Sequence, residues 1–156
     1  ITFEAPSLTR VDKVDYEKIS SNRLVEEKYV FVYWLGDKSR IADTILKYQE
    51  DGYNIVEIQL RSNSILPSIG DWLSYIQFAD FVITDSFHGC VFSLIFNKNF
   101  CIHSNDSGGN GRLTTLLTIL NISDRDALIQ PDYSKVNIIL HDLRSQSYQF
   151  LNSTLK

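Results

Sequence analysis

The chain has 156 residues, 44% of them hydrophobic and 22% charged, with a net charge of -4 and a pI near 5.3. That length suits one domain with a real core, the composition is that of an ordinary soluble globular protein, and no apolar run approaches the roughly 20 residues a bilayer span needs. The acidic balance argues against a nucleic-acid binder with a broad basic face, since such binding neutralises phosphates with Lys and Arg. A small anion held by a few local groups stays compatible with it.

The chain opens at Ile1 and contains no methionine, which predicts a piece of a longer protein. Its opening residues carry neither a secretory nor a transit pattern. Residues 1–27 read as a lead-in segment, with a short helix from Asp12 to Ser20 and a polar connection after it. From residue 28 the pattern becomes regular. "YVFVYW" is a continuous β-branched and aromatic strand, followed by the turn "LGDKS" and a helix with Ile41, Ile45 and Tyr48 on one face. "NIVEI", Asn54 to Ile58, is a second strand, and after a loop through Pro67 a short helix over Asp71 to Ala79 carries Trp72, Leu73 and Ile76.

The third strand, "FVITD" from Phe81, leads into a helix over His88 to Asn97, and the fourth, Phe100 to His103, leads through "NDSGGNGR" into a helix with Leu113, Leu116, Leu117 and Leu120 on one face. After Pro131 a long helix begins near Ser134, with Val136, Leu140, Leu143, Ser147, Phe150 and Leu151 as its expected buried stripe. Four strands without polar alternation, each followed by a helix, predict a doubly wound parallel α/β sheet of Rossmann-like type covered on both faces, spanning residues 28–156.

In such a sheet, ligands bind at the carboxyl ends of the strands near a switch in strand order. The turn after the third strand is the richest in chemistry. Asp85 ends the strand, Ser86 can cap the helix, and the first N–H groups of that helix, near Phe87, His88 and Gly89, have no acceptor within it, an arrangement that attracts anions. His88 adds a donor or a transferable proton, and Gly89 permits a close approach. The same residues can instead simply cap the helix, and the turn by itself leaves both readings open. The glycine-rich loop before Arg112 is a second anion-holding candidate. Gly36, Lys38 and Ser39 in the first turn, and Arg61 after the second strand, are weaker ones.

Cys90 and Cys101 fall in apolar elements, which predicts two buried reduced thiols and a cytoplasmic setting. Cys90 is expected to be inert rather than nucleophilic. His103 and His141 stand alone, and no spacing of His, Cys, Asp and Glu matches a metal site.

The run "ADFVITDSFHGCVFSLIFNKNF" together with "GRLTTLLTILNISDR" resembles the polysaccharide pyruvyl transferase family, over about residues 1–130 of this chain. The resemblance implies a two-lobed, glycosyltransferase-B-like protein, of which this chain is the carboxyl-terminal lobe and an amino-terminal lobe is its partner. It also implies transfer of the enolpyruvyl unit of phosphoenolpyruvate to a pair of sugar hydroxyls as a ketal, in cell-surface polysaccharide synthesis, with no metal or cofactor. The family's histidine falls on His88 as the catalytic residue, and Asp85, Ser86, Phe87, Gly89 and Arg112 form the expected donor-binding group. Better-known members carry a basic residue where this chain has Ser86, which leaves the anion's charge to Arg112 or to the other lobe. A glycosyltransferase with a nucleotide-sugar donor, and a non-catalytic anion-binding domain, are the alternatives.

Overall fold

The computed structural model describes residues 11–58, 66–103, 110–122 and 128–154. In chain order the elements are α1 (Lys13–Ile19), β1 (Tyr29–Tyr33), a 3₁₀ turn (Lys38–Ile41), α2 (Ala42–Glu50), β2 (Asn54–Ile58), α3 (Ile69–Gln77), β3 (Phe81–Thr84), α4 (Phe87–Ile95), β4 (Asn99–Ile102), α5 (Asn110–Ile119), β5 (Leu128–Ile129) and α6 (Tyr133–Thr154). The strands form one sheet in the order β2-β1-β3-β4-β5. β1 to β4 are parallel, with Phe31 opposite both Val56 and Val82, and Val82 opposite Phe100. The four expected strands are present and make a mostly parallel, Rossmann-like sheet.

The fifth strand is a departure from the expected pattern. β5 is two residues long and pairs antiparallel with β4, Phe100 facing Ile129. It closes the edge that β4 would otherwise expose, and an unpaired strand edge is a row of unsatisfied backbone groups.

Side chains alternate across the sheet and separate two cores. Phe31, Val82, Phe100 and Ile102 point to one face, where Leu73 and Ile76 of α3, Val91 and Leu94 of α4, Leu113, Leu116 and Leu117 of α5 with Leu120 just after it, and Val136 and Leu140 of α6 pack on them. Val30, Val32, Phe81, Ile83 and Cys101 point to the other, against Ile41 beside α2 and Ile45 and Tyr48 within it. Right-handed crossovers account for the division: the chain moves outward from β1 to β2 through α2, then back across β1 to β3 through α3, which places the two helices on opposite faces. Each fully buried aliphatic or aromatic side chain contributes about 1.5–3 kcal/mol, and the strands supply them without polar interruption.

α1 packs beside α3 and α4. Tyr16 meets the Phe92 ring edge-on at 4.9 Å, and the Ser21 hydroxyl donates to Asp71 Oδ1 at 2.6 Å. The long helix α6 departs from expectation at its far end. Val136 and Leu140 are buried and Leu143 and Ser147 half-buried, but Phe150 is 69% exposed. Twenty-two residues of helix run about 33 Å, whereas strands of four or five residues span about half that, so the first turns use up the sheet's surface. The Leu151 side chain lies outside the described residues. Among the described residues, no helix is long and apolar enough to cross a membrane.

Candidate functional site

The strand order reverses between β1 and β3, so the loops leaving their carboxyl ends stand side by side at the switch point. Tyr33 lies opposite Thr84 there. The Thr84 hydroxyl donates to the Tyr33 carbonyl at 2.8 Å and accepts the Ser86 N–H at 3.0 Å, tying the two strand ends to the start of α4. Asp85, also buried, completes the tie: its Oδ1 accepts the Leu35 N–H and its Oδ2 the Gly36 N–H, both at 2.8 Å. A Cβ on Gly36 would lie 3.0 Å from Oδ2, and the glycine lets the backbone approach the carboxylate.

Ser86 precedes α4 in extended conformation and accepts the Gly89 N–H at a long 3.5 Å, while its carbonyl accepts the Cys90 N–H at 3.0 Å. Gly89 is required by packing: a Cβ there would fall 2.3 Å from Thr84 Oγ1 and 2.9 Å from Thr84 Cβ. The close approach expected of this glycine is made by the side chain of the preceding strand.

Phe87 and His88 project from the first turn of α4. Phe87 is half-buried and His88 exposed, with their rings edge-to-face at 5.7 Å. Arg112, on the first turns of α5, lays its guanidinium over the Phe87 face at 5.1 Å, a cation–π contact. Ser86, Phe87, His88, Gly89 and Arg112 therefore converge on one edge of the sheet, with the free N–H groups of the α4 start among them. Asp85 belongs to the same turn, but both its oxygens are committed to the β1 loop.

The weaker candidates are occupied by local structure. Lys38 pairs with Glu57, and Ser39 donates through N–H and hydroxyl to Asp37 at 3.0 and 2.9 Å. Arg61 and most of the loop before Arg112 lie outside the described residues. His103, isolated in sequence, reaches the same sheet edge, where its N–H donates to the Thr84 carbonyl at 3.3 Å. Its Nε2 lies 3.3 Å from Cys101 Sγ and its ring meets Trp34 at 5.4 Å. His141 lies on α6 beside Asp142. Both cysteines are free and buried, and burial pushes the Cys90 thiol far above its ordinary value. Among the described residues, no three His, Cys, Asp or Glu side chains are grouped to hold a metal.

His88 also lines a cavity of about 360 Å³, together with Tyr33, Trp72, Phe92, Ile69 and others. Its aromatic walls are mutually braced: Trp72 meets Tyr33 at 5.3 Å and Phe92 at 5.2 Å, both edge-on. Sequence reasoning missed these residues, because they come from α1, β1, α3 and α4 and share no motif. The one available signal was the position of Tyr33 at the carboxyl end of a central strand.

No curated protein and no solved structure gives a significant match to the chain. The sequence profile of one family does, over residues 3–107. That stretch contains β1 to β4, the Thr84 and Asp85 ties and the α4 start with His88, and stops short of Arg112. By that match, which covers well over half of its residues, the chain belongs to the polysaccharide pyruvyl transferase family.

Proposed function

We propose that the protein transfers the pyruvyl unit of phosphoenolpyruvate to two hydroxyls of a saccharide, with the start of α4 as the donor site. Membership of the family implies a transferase in general terms. The observation that carries the finer reading is the convergence of exposed His88, the Arg112 guanidinium on Phe87 and the open end of α4 on one sheet edge. Phosphoenolpyruvate bears a phosphate and a carboxylate. Helix N–H groups and a cation are what such a ligand needs.

In this scheme the N–H groups of Phe87 and His88 at the start of α4 hold one anionic group and Arg112 the other, while Ser86 and Gly89 fix the turn through the bond from the Gly89 N–H to the serine hydroxyl. The methylene carbon of phosphoenolpyruvate takes a proton and becomes the methyl group, one acceptor hydroxyl adds to the neighbouring carbon, phosphate leaves with the C–O bond electrons, and the second hydroxyl closes the ketal. His88 is the proton donor to the methylene or to the departing phosphate. Asp85 contributes by holding the β1 loop beside the site. No cofactor or metal is needed for these steps, and Ser86 leaves Arg112 and an amino-terminal lobe to supply positive charge. We place this chain as the carboxyl-terminal lobe of a two-lobed, glycosyltransferase-B-like protein. We place the reaction in the cytoplasm, in keeping with the free Cys90 and Cys101 thiols.

Titration of the full-length protein with phosphoenolpyruvate and, separately, with nucleotide sugars tests the reading. The expected result is phosphoenolpyruvate binding that weakens at least tenfold in His88→Ala, with phosphate release that depends on a saccharide. Binding of nucleotide sugars in its place would favour the glycosyltransferase alternative, and phosphoenolpyruvate binding without turnover a sensing domain.

A further inference from the structure

The two cysteines of the chain stand in different surroundings. Cys90 has no exposed surface, and burial pushes its thiol far above its ordinary value. Cys101, on the opposite face of the sheet, lines a second cavity of about 340 Å³ with Asp43, Lys47 and Tyr48 of α2, His103, Leu128 and others. Asp43, Lys47 and Leu128 are themselves exposed, so this cavity opens to solvent. Side chains two residues apart along a strand direction share a face, which brings His103 to Cys101: the imidazole Nε2 lies 3.3 Å from the thiol sulfur. The histidine is fixed there by its backbone N–H, which donates to the Thr84 carbonyl at 3.3 Å, and by its ring, edge-on to Trp34 at 5.4 Å.

We propose that Cys101 is a reversible thiol-modification site, with His103 as its base, for a low-molecular-weight disulfide that carries an amino-acid head group. The thiolate is the form that attacks a disulfide, and an imidazole within hydrogen-bond reach takes the thiol proton. In the step the Cys101 proton passes to His103 Nε2, and the Cys101 sulfur bonds to one sulfur of the incoming disulfide. The old S–S bond breaks, its electron pair leaves with the other sulfur, and that sulfur takes the proton back from the imidazole. Cys101 is oxidised to a mixed disulfide and the departing half is reduced to a thiol. The cavity wall supplies the recognition. Asp43 and Lys47 lie one helical turn apart on α2 and offer a carboxylate to an ammonium and an ammonium to a carboxylate, and the volume is that of a small-molecule site. Because Cys90 and Cys101 lie on opposite faces of the sheet, they cannot oxidise each other, and an external disulfide is the partner. A further exchange with a free thiol removes the adduct, which makes it a transient mark of oxidising conditions.

The reduced full-length protein is incubated at neutral pH with glutathione disulfide or, as the uncharged comparison, with hydroxyethyl disulfide, and the peptides carrying Cys90 and Cys101 are followed by mass spectrometry. Cys101 is expected to be converted at least tenfold faster than Cys90, with the adduct lost on adding dithiothreitol. His103→Asn should slow the conversion at least fivefold. The ratio of the Cys101 rates with the two disulfides, measured against the same ratio in the urea-unfolded protein, reads the cavity's preference for the charged head group. That preference should be at least threefold in the native protein and fall to the unfolded ratio in Lys47→Ala, a change at an exposed helix position that folding tolerates and that carries the test alone should His103→Asn fail to fold. A native Cys101 no faster than Cys90, an unchanged rate in folded His103→Asn, or a native preference no greater than that in urea overturns the proposal. None of these readouts uses phosphoenolpyruvate, so the site stands or falls apart from the pyruvyl-transfer reading.

Discussion

Thr84 and Gly89 form a steric and polar unit at the heart of the site. The threonine occupies the space that any other residue at 89 would need for its Cβ, 2.3 Å from Oγ1, and its hydroxyl serves Tyr33 and Ser86 together. Gly89→Ala is expected to destabilise the protein by about 1–3 kcal/mol through overpacking, visible as a lower urea midpoint. Combining it with Thr84→Ala should cost less than the sum of the two single changes, since each relieves the other's crowding; additive costs would show that the two do not meet. Asp85→Asn tests the tie to the β1 loop. The amide offers one acceptor oxygen to two N–H donors, so either Leu35 or Gly36 loses its partner at a cost of about 1–3 kcal/mol. An unchanged urea midpoint would show that the carboxylate's bonds to the loop do not matter. The strand-to-helix turn at 85–89 was legible in sequence because a capping serine and a glycine interrupt two apolar runs. The partners of Asp85 were not, because Leu35 and Gly36 lie 50 and 49 residues away.

At the scale of elements, α6 divides into a packed and an unpacked half. Leu140, 2% exposed, and Phe150, 69% exposed, sit on the same helix and make a direct comparison. Leu140→Ala should cost about 2–5 kcal/mol as a cavity-forming change, and Phe150→Ser should stay within about 0.5 kcal/mol, both by urea denaturation; a large effect at Phe150 would mean that the far half is covered. Asp132, just before the helix, accepts the Ser134 N–H at 3.2 Å and pairs with Lys135 at 3.0 Å. Hydrogen bonds from Ser134 and Lys135 lower its pKa from 3.8 to about 2. Its contribution is therefore fully present above 3.8 and is lost as pH falls through about 2. The stability difference between the native protein and Asp132→Asn should shrink across that window, and a difference independent of pH there would exclude the effect. The periodicity of α6 predicted one buried stripe along its whole length. Periodicity reports which face is apolar, and the extent of the surface opposite it decides how much of that face is covered. The same limit hid β5, since two residues carry no period.

For the molecule as a whole, Cys90 is a reporter of global opening. It lies in the larger core with no exposed surface, and burial raises its thiol pKa, so the reactive thiolate is suppressed twice over. Iodoacetamide should label Cys90 only as fast as global unfolding exposes it, with a rate that rises with urea in step with the loss of structure; labelling in native buffer at the rate of a free cysteine would contradict the packing of α4.

The order of strands and helices, the parallel sheet and the turn that carries His88 follow from the sequence by itself, because hydrophobic runs, capping residues and glycines act on near neighbours in the chain. Tertiary structure alone decided that Asp85 serves the β1 loop, that Arg112 lies over Phe87 and that an aromatic cavity opens beside His88. Each of these joins residues from separate elements, and only the reversal of strand order between β1 and β3 brings those elements to one edge.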